Sequence, residues 1–153
     1  MPDMPITSFS ATNPGAELRL GDQLIRFDRA MTVKAYEGIT EGGADECTCG
    51  FCQKFRKSRA IVYPAAFLSL LEELGIDRNK EGEVYENYTD EQGICNFGGW
   101  FFFTGQILES GEHQVETDGM TYWFGSGRSL PRSEGEFGLD LLALQFTASA
   151  TLL

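Results

Sequence analysis

The chain has 153 residues, about the length of one domain, and 42% of them are hydrophobic, which excludes intrinsic disorder as the main state. Its formal net charge is −11, so the phosphates of nucleic acids and of anionic membranes repel it, which argues against both as partners. No apolar run reaches the roughly 18 residues of a membrane span, and the first residues lack the basic and apolar regions of a signal peptide. We therefore expect one cytoplasmic domain over residues 1–153.

The first quarter of the chain predicts an irregular arm followed by short strands. Residues 1–17 have no sustained periodicity and form the expected arm, with a short strand over residues 6–10. Gly21 and Asp22 predict a turn between the apolar runs at residues 18–20 and 23–27, because Gly-Asp pairs favour tight turns. Three further strands are expected over residues 18–20, 23–27 and 31–39. The acidic, glycine-containing segment that follows predicts a loop leading to the cysteines.

After this loop the hydrophobic pattern changes to helical spacing. Phe51 and Phe55 lie four residues apart among polar and basic residues, which predicts a short amphipathic helix from Gly50. A second helix opens at Pro64 and ends at Gly75, in agreement with the preferences of these residues for helix starts and stops. Its apolar residues at i, i+3, i+4 and i+7 are Phe67, Leu70, Leu71 and Leu74.

The second half of the chain predicts strands. They are expected over residues 83–88, 94–108, 114–117, 120–124 and 139–150, with a loop over residues 125–138. The run Trp100–Phe103 has four consecutive aromatic residues, so both faces of its strand should be covered. The predicted fold is therefore α+β: an antiparallel sheet, or a partly open β-barrel or sandwich, with two short helices inserted after the first strands.

Three of the four cysteines form a C-x-C-x-x-C motif within residues 47–52. Thiolates at this spacing reach one tetrahedral ion at about 2.3 Å per bond, because the chain turns there and brings the sulfurs together. We therefore predict a metal site, with zinc as the possible cofactor. The candidate ligands are Cys47, Cys49, Cys52 and Cys95. His113, Asp45 and water are the alternatives for the fourth position.

The same cysteines also suit thiol chemistry. Cys49 and Cys52 form a C-x-x-C at the start of a predicted helix, whose N-terminal partial positive charge lowers the pKa of a thiol. The motif resembles that of thioredoxin-like oxidoreductases in four residues alone, since the preceding buried strand and the βαβ order are missing. Cys49 would be the nucleophile and Cys52 the resolving thiol. Plain packing is the third interpretation, because free cysteine is often buried.

The remaining polar residues form no catalytic signature. The single histidine, His113, lies in a predicted turn, and the chain has neither a G-x-S-x-G nor an H-E-x-x-H motif. We therefore lean against an enzyme. The basic residues Lys54, Arg56, Lys57 and Arg59 favour a solvated helix face over an anion site.

From the cysteines onward the chain resembles an uncharacterised group of bacterial proteins. The pieces that carry the resemblance are, in order, Cys49-x-x-Cys52, Arg56, Tyr63-Pro64 with Phe67 and Leu70-Leu71, Leu74-Gly75-Ile76-Asp77, Lys80, Glu83-Val84-Tyr85, Gly99-Trp100-Phe101-Phe102-Phe103-x-Gly105 and a C-terminal strand rich in Leu, Gln and Phe. The resemblance implies a single α+β domain and brings no activity with it. Phe102 stands where we expect a histidine in that group, which argues against a site on this strand.

Taken together, the sequence predicts a small acidic binding or interaction module, whose C-x-C-x-x-C loop either binds zinc or packs. Its charge suits a basic protein partner, and its aromatic sheet suits a small ligand. A thiol redox protein or redox sensor that uses Cys49 and Cys52 is the alternative. The oligomeric state remains open.

Overall fold

The computed structural model describes residues 15–128, 130 and 137–153. In chain order the elements are β1 (Ala16–Leu20), β2 (Gln23–Phe27), α1 (Arg29–Glu37), a 3₁₀ helix (Gly43–Glu46), α2 (Gly50–Ser58), α3 (Ala65–Leu74), β3 (Glu83–Thr89), β4 (Cys95–Glu109), β5 (Val115–Thr117), β6 (Met120–Ser126) and β7 (Leu141–Ala150). The strand expected over residues 6–10, and part of the loop expected over residues 125–138, lie outside the described residues.

The seven strands form one antiparallel sheet in the order β1-β2-β4-β7-β6-β5, with β3 also paired to β4. The sheet is open, and the α+β class expected from the sequence is confirmed. The long strand β4 is its centre. The first part of β4 pairs with β3, its last part pairs with β2, and β7 follows its other side over residues 95–104.

Aromatic side chains join α3 to the sheet. The ring of Phe67 on α3 lies 6.2 Å from Phe101, 5.5 Å from Phe146 and 5.1 Å from Tyr122, measured between centroids. Such pairs add about 0.5–1.5 kcal/mol each beyond the area they bury. All four residues of the run Trp100–Phe103 are buried, so the expectation that both faces of this strand are covered is confirmed.

Among the described residues, one edge of β4 has no strand partner between β3 and β2, and α1 lies along this part of the strand. The Tyr36 hydroxyl donates to the Phe102 carbonyl at 2.6 Å, and the Thr104 N–H donates to the Thr32 hydroxyl at 3.0 Å. The Asp28 N–H donates to the Thr104 carbonyl, also at 3.0 Å. Side chains of a helix thus satisfy backbone groups that a neighbouring strand would otherwise pair.

The strand predicted over residues 31–39 is wrong, because this segment belongs to α1. Asp28 caps the helix by accepting the Met31 N–H at 3.0 Å, as acidic N-caps commonly do. Thr32, Ala35 and Tyr36 are its buried residues, at the i, i+3, i+4 spacing of a helix face. The partial alternation of apolar residues concealed this pattern, so the fold has a third α-helix within its described part.

The other predicted elements lie close to their expected positions. Both expected helices are present, and Gly75 ends α3 in the left-handed conformation with φ of 83°, as a C-cap glycine does. The hairpin of β5 and β6 and the final strand are present as well. Among the described helices, not one combines the length and the apolar character needed to cross a membrane.

Candidate metal centre

The cysteine motif lies where the 3₁₀ helix ends and α2 begins; we call residues 43–52 the cysteine loop. Cys47 follows the 3₁₀ helix in an extended conformation, and Cys49 is the N-cap of α2. The Cys49 Sγ accepts the Cys52 N–H at 3.4 Å, so the sulfur takes the place of the usual capping oxygen. The chain reverses over these few residues and directs the three side chains toward one point.

All three sulfur atoms lie within 4.8 Å of one another. The Cys47 and Cys49 sulfurs are 3.2 Å apart, and the Cys49 N–H points at the Cys47 sulfur from 3.5 Å. Sulfur ligands around a tetrahedral zinc ion are about 3.8 Å apart, as bonds of about 2.3 Å require. The group therefore needs shifts of about an ångström at most to enclose an ion. Cys47, Cys49 and Cys52 lie close enough to hold a metal ion.

The three thiols differ in exposure and in charge preference. Cys49 is exposed, and the Cys52 N–H together with the Cys47 thiol lowers the pKa of Cys49. Cys52 is buried, and this burial, together with its two sulfur neighbours, raises its pKa. Since the neighbouring sulfurs favour the ionised form of Cys49 but oppose that of Cys52, a bound cation would chiefly offset the cost of ionising Cys52.

Arg56 on α2 holds the backbone on which Cys47 stands. Its Nη1 donates to the carbonyl of Ala44 at 2.5 Å and to the carbonyl of Cys47 at 2.8 Å. Arg56 is half-buried, so these charge-assisted bonds are less screened than they would be in water. The 3₁₀ helix is thereby fastened to α2 one turn beyond Cys52.

A second arginine ties the same 3₁₀ helix to the chain before β3. Arg59 donates to Asp45 at 3.2 Å and to Glu81 at 2.8 Å. The Glu81 side chain is fully buried, and its Oε2 also accepts the Ala44 N–H at 2.8 Å. Burial raises the pKa of Glu81, while the Ala44 N–H and the Arg59 charge favour its ionised form. The Arg59–Glu81 ion pair thus holds the 3₁₀ helix of the cysteine loop in place.

The structure places Cys95 away from the three-sulfur group. This cysteine is buried at the start of β4, and its thiol is 3.9 Å from Glu86. It lines a cavity of about 50 Å³ together with Phe51 and Lys54. Burial raises the pKa of Cys95, so this thiol is a poor nucleophile. Within the described part of the chain, no fourth cysteine, histidine or carboxylate joins the group.

The other candidates for a fourth ligand have partners of their own. Asp45 bonds to Arg59 and to the Gly42 N–H at 2.9 Å. His113 is 82% exposed and bonds to Asp22 at 2.8 Å in the turn between β4 and β5, which matches the exposed turn histidine expected from the sequence. Water therefore remains the simplest fourth ligand for an ion at this site.

Sequence reasoning missed the supporting roles of Arg56, Arg59 and Glu81. The expected solvated face is wrong for both arginines, since they bond inward to the cysteine loop. A signal was present in the spacing, because the residues at i, i+3, i+7 and i+10 of one helix face are Cys49, Cys52, Arg56 and Arg59. Glu81 gave no signal, because its partners are 22 and more positions away in the chain.

A separate cleft of about 250 Å³ lies beside α1 and the end of α3. Its basic residues are occupied: Arg29 bonds to Glu72 at 2.6 Å, and Lys80 donates to the Tyr36 carbonyl at 2.8 Å. The cleft contains no cysteine or histidine. It therefore offers fewer groups that could bind a metal or act as a nucleophile than the three-sulfur group does.

No protein-family model, curated protein or solved structure matches this chain. The resemblance to a group of bacterial proteins described above stays a prediction. The geometry of the site is therefore the basis for the functional inference.

Proposed function

We propose that this protein is a small metal-binding module in which Cys47, Cys49 and Cys52 hold a zinc ion. The observation that carries this proposal is the convergence of the three sulfurs within 4.8 Å of one another. Thiolates are soft ligands, and zinc accepts three of them with a fourth position left for water or for a group from a partner. Cys95 lies apart from this group, so we propose the site without it.

The surroundings of the three sulfurs suit the charge of such a centre. Three thiolates and Zn²⁺ carry a net charge of −1, which the guanidinium of Arg56 and the N-terminus of α2 offset. Most of the apolar core lies on α3 and the sheet, and the cysteine motif meets it through Cys52. The ion would therefore order the cysteine loop rather than fold the whole domain.

Elemental analysis of protein purified without chelator tests the proposal, with reactive thiols counted on the same sample. We expect about one zinc per chain and three thiols that become reactive when a chelator is added. Cys49→Ser should lose the metal, while the matched control Cys95→Ser should keep it. A metal-free wild-type protein that also takes up no added Zn²⁺ or Co²⁺ would contradict the proposal.

We further propose that the module acts by binding a basic protein or a small ligand in the cytoplasm. The net charge of −11 attracts basic surfaces, and a reducing compartment keeps cysteines available for a metal. Retention of a defined basic protein on the immobilised module, weakened by salt, is the expected result. Retention that does not depend on salt would argue against charge as the basis of binding.

A thiol redox function is the second candidate, because Cys49 is exposed and its pKa is lowered. Peroxide would convert the Cys49 thiolate to a sulfenic acid with release of hydroxide, and a second thiol would then form a disulfide with release of water. Cys52 is the resolving thiol expected from the sequence, and Cys47, at 3.2 Å, is the competing one. Peptide mapping after peroxide treatment identifies the bond formed. A Cys49 alkylation rate equal to that of an unperturbed thiol would exclude this candidate.

A further inference from the structure

The three proposed ligands are not held in the same way. Cys49 and Cys52 belong to α2, as its N-cap and first turn, so the helix fixes their spacing. Cys47 enters from the preceding segment. The third ligand therefore depends on how firmly that segment is held against α2.

Arg56 holds the segment that contains Cys47 against α2. It stands four residues after Cys52, on the same face of α2, and its Nη1 bridges the carbonyls of Ala44 and Cys47. One of these carbonyls belongs to the ligand residue itself. Both bonds leave the same nitrogen, and the rigid, planar guanidinium directs its two N–H groups at the two carbonyls, which a flexible ammonium does less well.

The deeper ion pair acts further from the sulfur. Arg59 and Glu81 hold Asp45 and the Ala44 N–H, which are two and three residues before Cys47. These contacts hold the 3₁₀ helix alone, whereas Arg56, which also bonds to the Ala44 carbonyl, reaches the peptide of the ligand residue itself. Of the two arginines, Arg56 therefore acts on Cys47 directly.

We propose that Arg56 is a positioning residue of the metal centre, which sets the Cys47 sulfur within reach of the ion. This inference rests on the proposed metal function. Groups that orient metal ligands in this way typically contribute roughly 10–100-fold to metal affinity. The guanidinium also places a positive charge at the carbonyl of Cys47.

The test compares Arg56→Ala with Lys57→Ala, an adjacent exposed residue whose removal changes the net charge equally. Each variant, the wild type and Arg56→Lys are titrated with Co²⁺, and the thiolate-to-cobalt absorption and the thiols shielded by the metal are recorded. For Arg56→Ala we expect about 10–100-fold weaker Co²⁺ binding, with two shielded thiols instead of three. Lys57→Ala should match the wild type, and Arg56→Lys should lose part of the affinity because it retains the charge without the planar, directional N–H groups of the guanidinium.

Each outcome tests either the positioning role of Arg56 or the metal function on which that role rests. If the wild type fails to bind Co²⁺ or Zn²⁺, the metal function itself is wrong. If the wild type binds with three shielded thiols and Arg56→Ala does the same with equal affinity, the positioning role is overturned and the metal function stands. If Arg56→Ala does not fold, Arg56→Lys decides: affinity and shielding equal to the wild type overturn the role, and a reduced affinity with a weakened cobalt–thiolate band supports it.

Discussion

The aromatic core beneath α3 and the cysteine loop, which runs from the 3₁₀ helix into the first turn of α2, are stabilised by different kinds of interaction. In the core, Phe67, Phe101 and Phe146 are fully buried and pack ring against ring at 5.5–6.2 Å. In the cysteine loop, Arg56 and Glu81 hold backbone carbonyls and an N–H through hydrogen bonds. Apolar packing is non-directional and tolerates small shifts, whereas hydrogen bonds fix atoms at defined distances.

This difference separates stability from site geometry. Most residues of the core lie outside the loop, on α3 and the sheet, so most of the buried apolar surface that stabilises the fold is there. The loop adds Ala44 and Cys52 to this core, and it places three sulfurs within 4.8 Å. Changes in the core should therefore act mainly on the free energy of unfolding, and changes in the loop network mainly on metal affinity.

The largest expected effect is on the core. Phe101→Ala should lower the free energy of unfolding by about 3–5 kcal/mol, because it removes a fully buried ring and leaves a cavity. Urea unfolding measures the change, with the partly exposed Leu108→Ala as the control. The folded fraction should still bind Co²⁺ with wild-type affinity. A loss of stability below about 1 kcal/mol would show that the core repacks freely.

The next largest effect is that of Glu81→Ala, which should lower both the free energy of unfolding and the metal affinity. Glu81→Ala leaves the nearly buried Arg59 with Asp45 as its remaining ion-pair partner, so we expect a loss of about 3 kcal/mol, at the low end of the range for broken buried pairs. Metal affinity should fall as well, because the 3₁₀ helix loses its support. Glu91→Ala, in an exposed turn, is the control for charge. Unchanged stability would assign the pair no structural role.

Metal binding should stabilise the protein by an intermediate amount. At a free zinc concentration of 100 times Kd, the free energy of unfolding should rise by about 2.7 kcal/mol, because the ion binds the folded state preferentially. Thermal unfolding with and without chelator measures this shift. The shift should vanish in Cys49→Ser and persist in Cys95→Ser. A shift that persists in Cys49→Ser would show that the metal binds at another site.

The smallest expected effect concerns Asp22, which belongs to neither region, and it depends on pH. Asp22 accepts the backbone N–H groups of Glu112 and His113 and the His113 ring, and these contacts lower its pKa to about 2. Because the folded pKa is below the unfolded one, the contribution is present above about pH 4 and disappears as the pH falls toward 2. The difference in Tm between the wild type and Asp22→Asn should therefore shrink on acidification. A difference independent of pH would contradict this assignment.

The parts of the fold with strong local patterns could be predicted from the sequence. The helix α3 was recognisable because Leu70, Leu71 and Leu74 follow helical spacing and Gly75 ends it. The helix α1 was missed because three of its apolar residues alternate like those of a strand, while its N-cap Asp28 was not weighed. Local pattern alone is ambiguous where an element buries a small, partly polar face such as Thr32 and Tyr36.

The candidate site was predictable to the extent that its ligands are neighbours in the chain. The motif placed Cys47, Cys49 and Cys52 together, and the structure brings these three sulfurs to one point. The position of Cys95 and the support from Glu81 depend on contacts between distant parts of the chain. Such contacts follow from the tertiary fold, which residue spacing does not encode.

The position of β4 at the centre of the sheet also bears on how fast the protein folds. Its last residues pair with β2, about 80 positions earlier in the chain, and its first residues pair with the end of β7, 55 positions later. These distant segments must meet before the hydrogen bonds of either strand pair can form. The entropy lost on closing such long loops slows this step. Refolding should accordingly occur on the millisecond-to-second timescale of sheet-dominated domains. The short-range contacts of the cysteine loop can form early, so a metal added during refolding would meet its ligands before the sheet is complete.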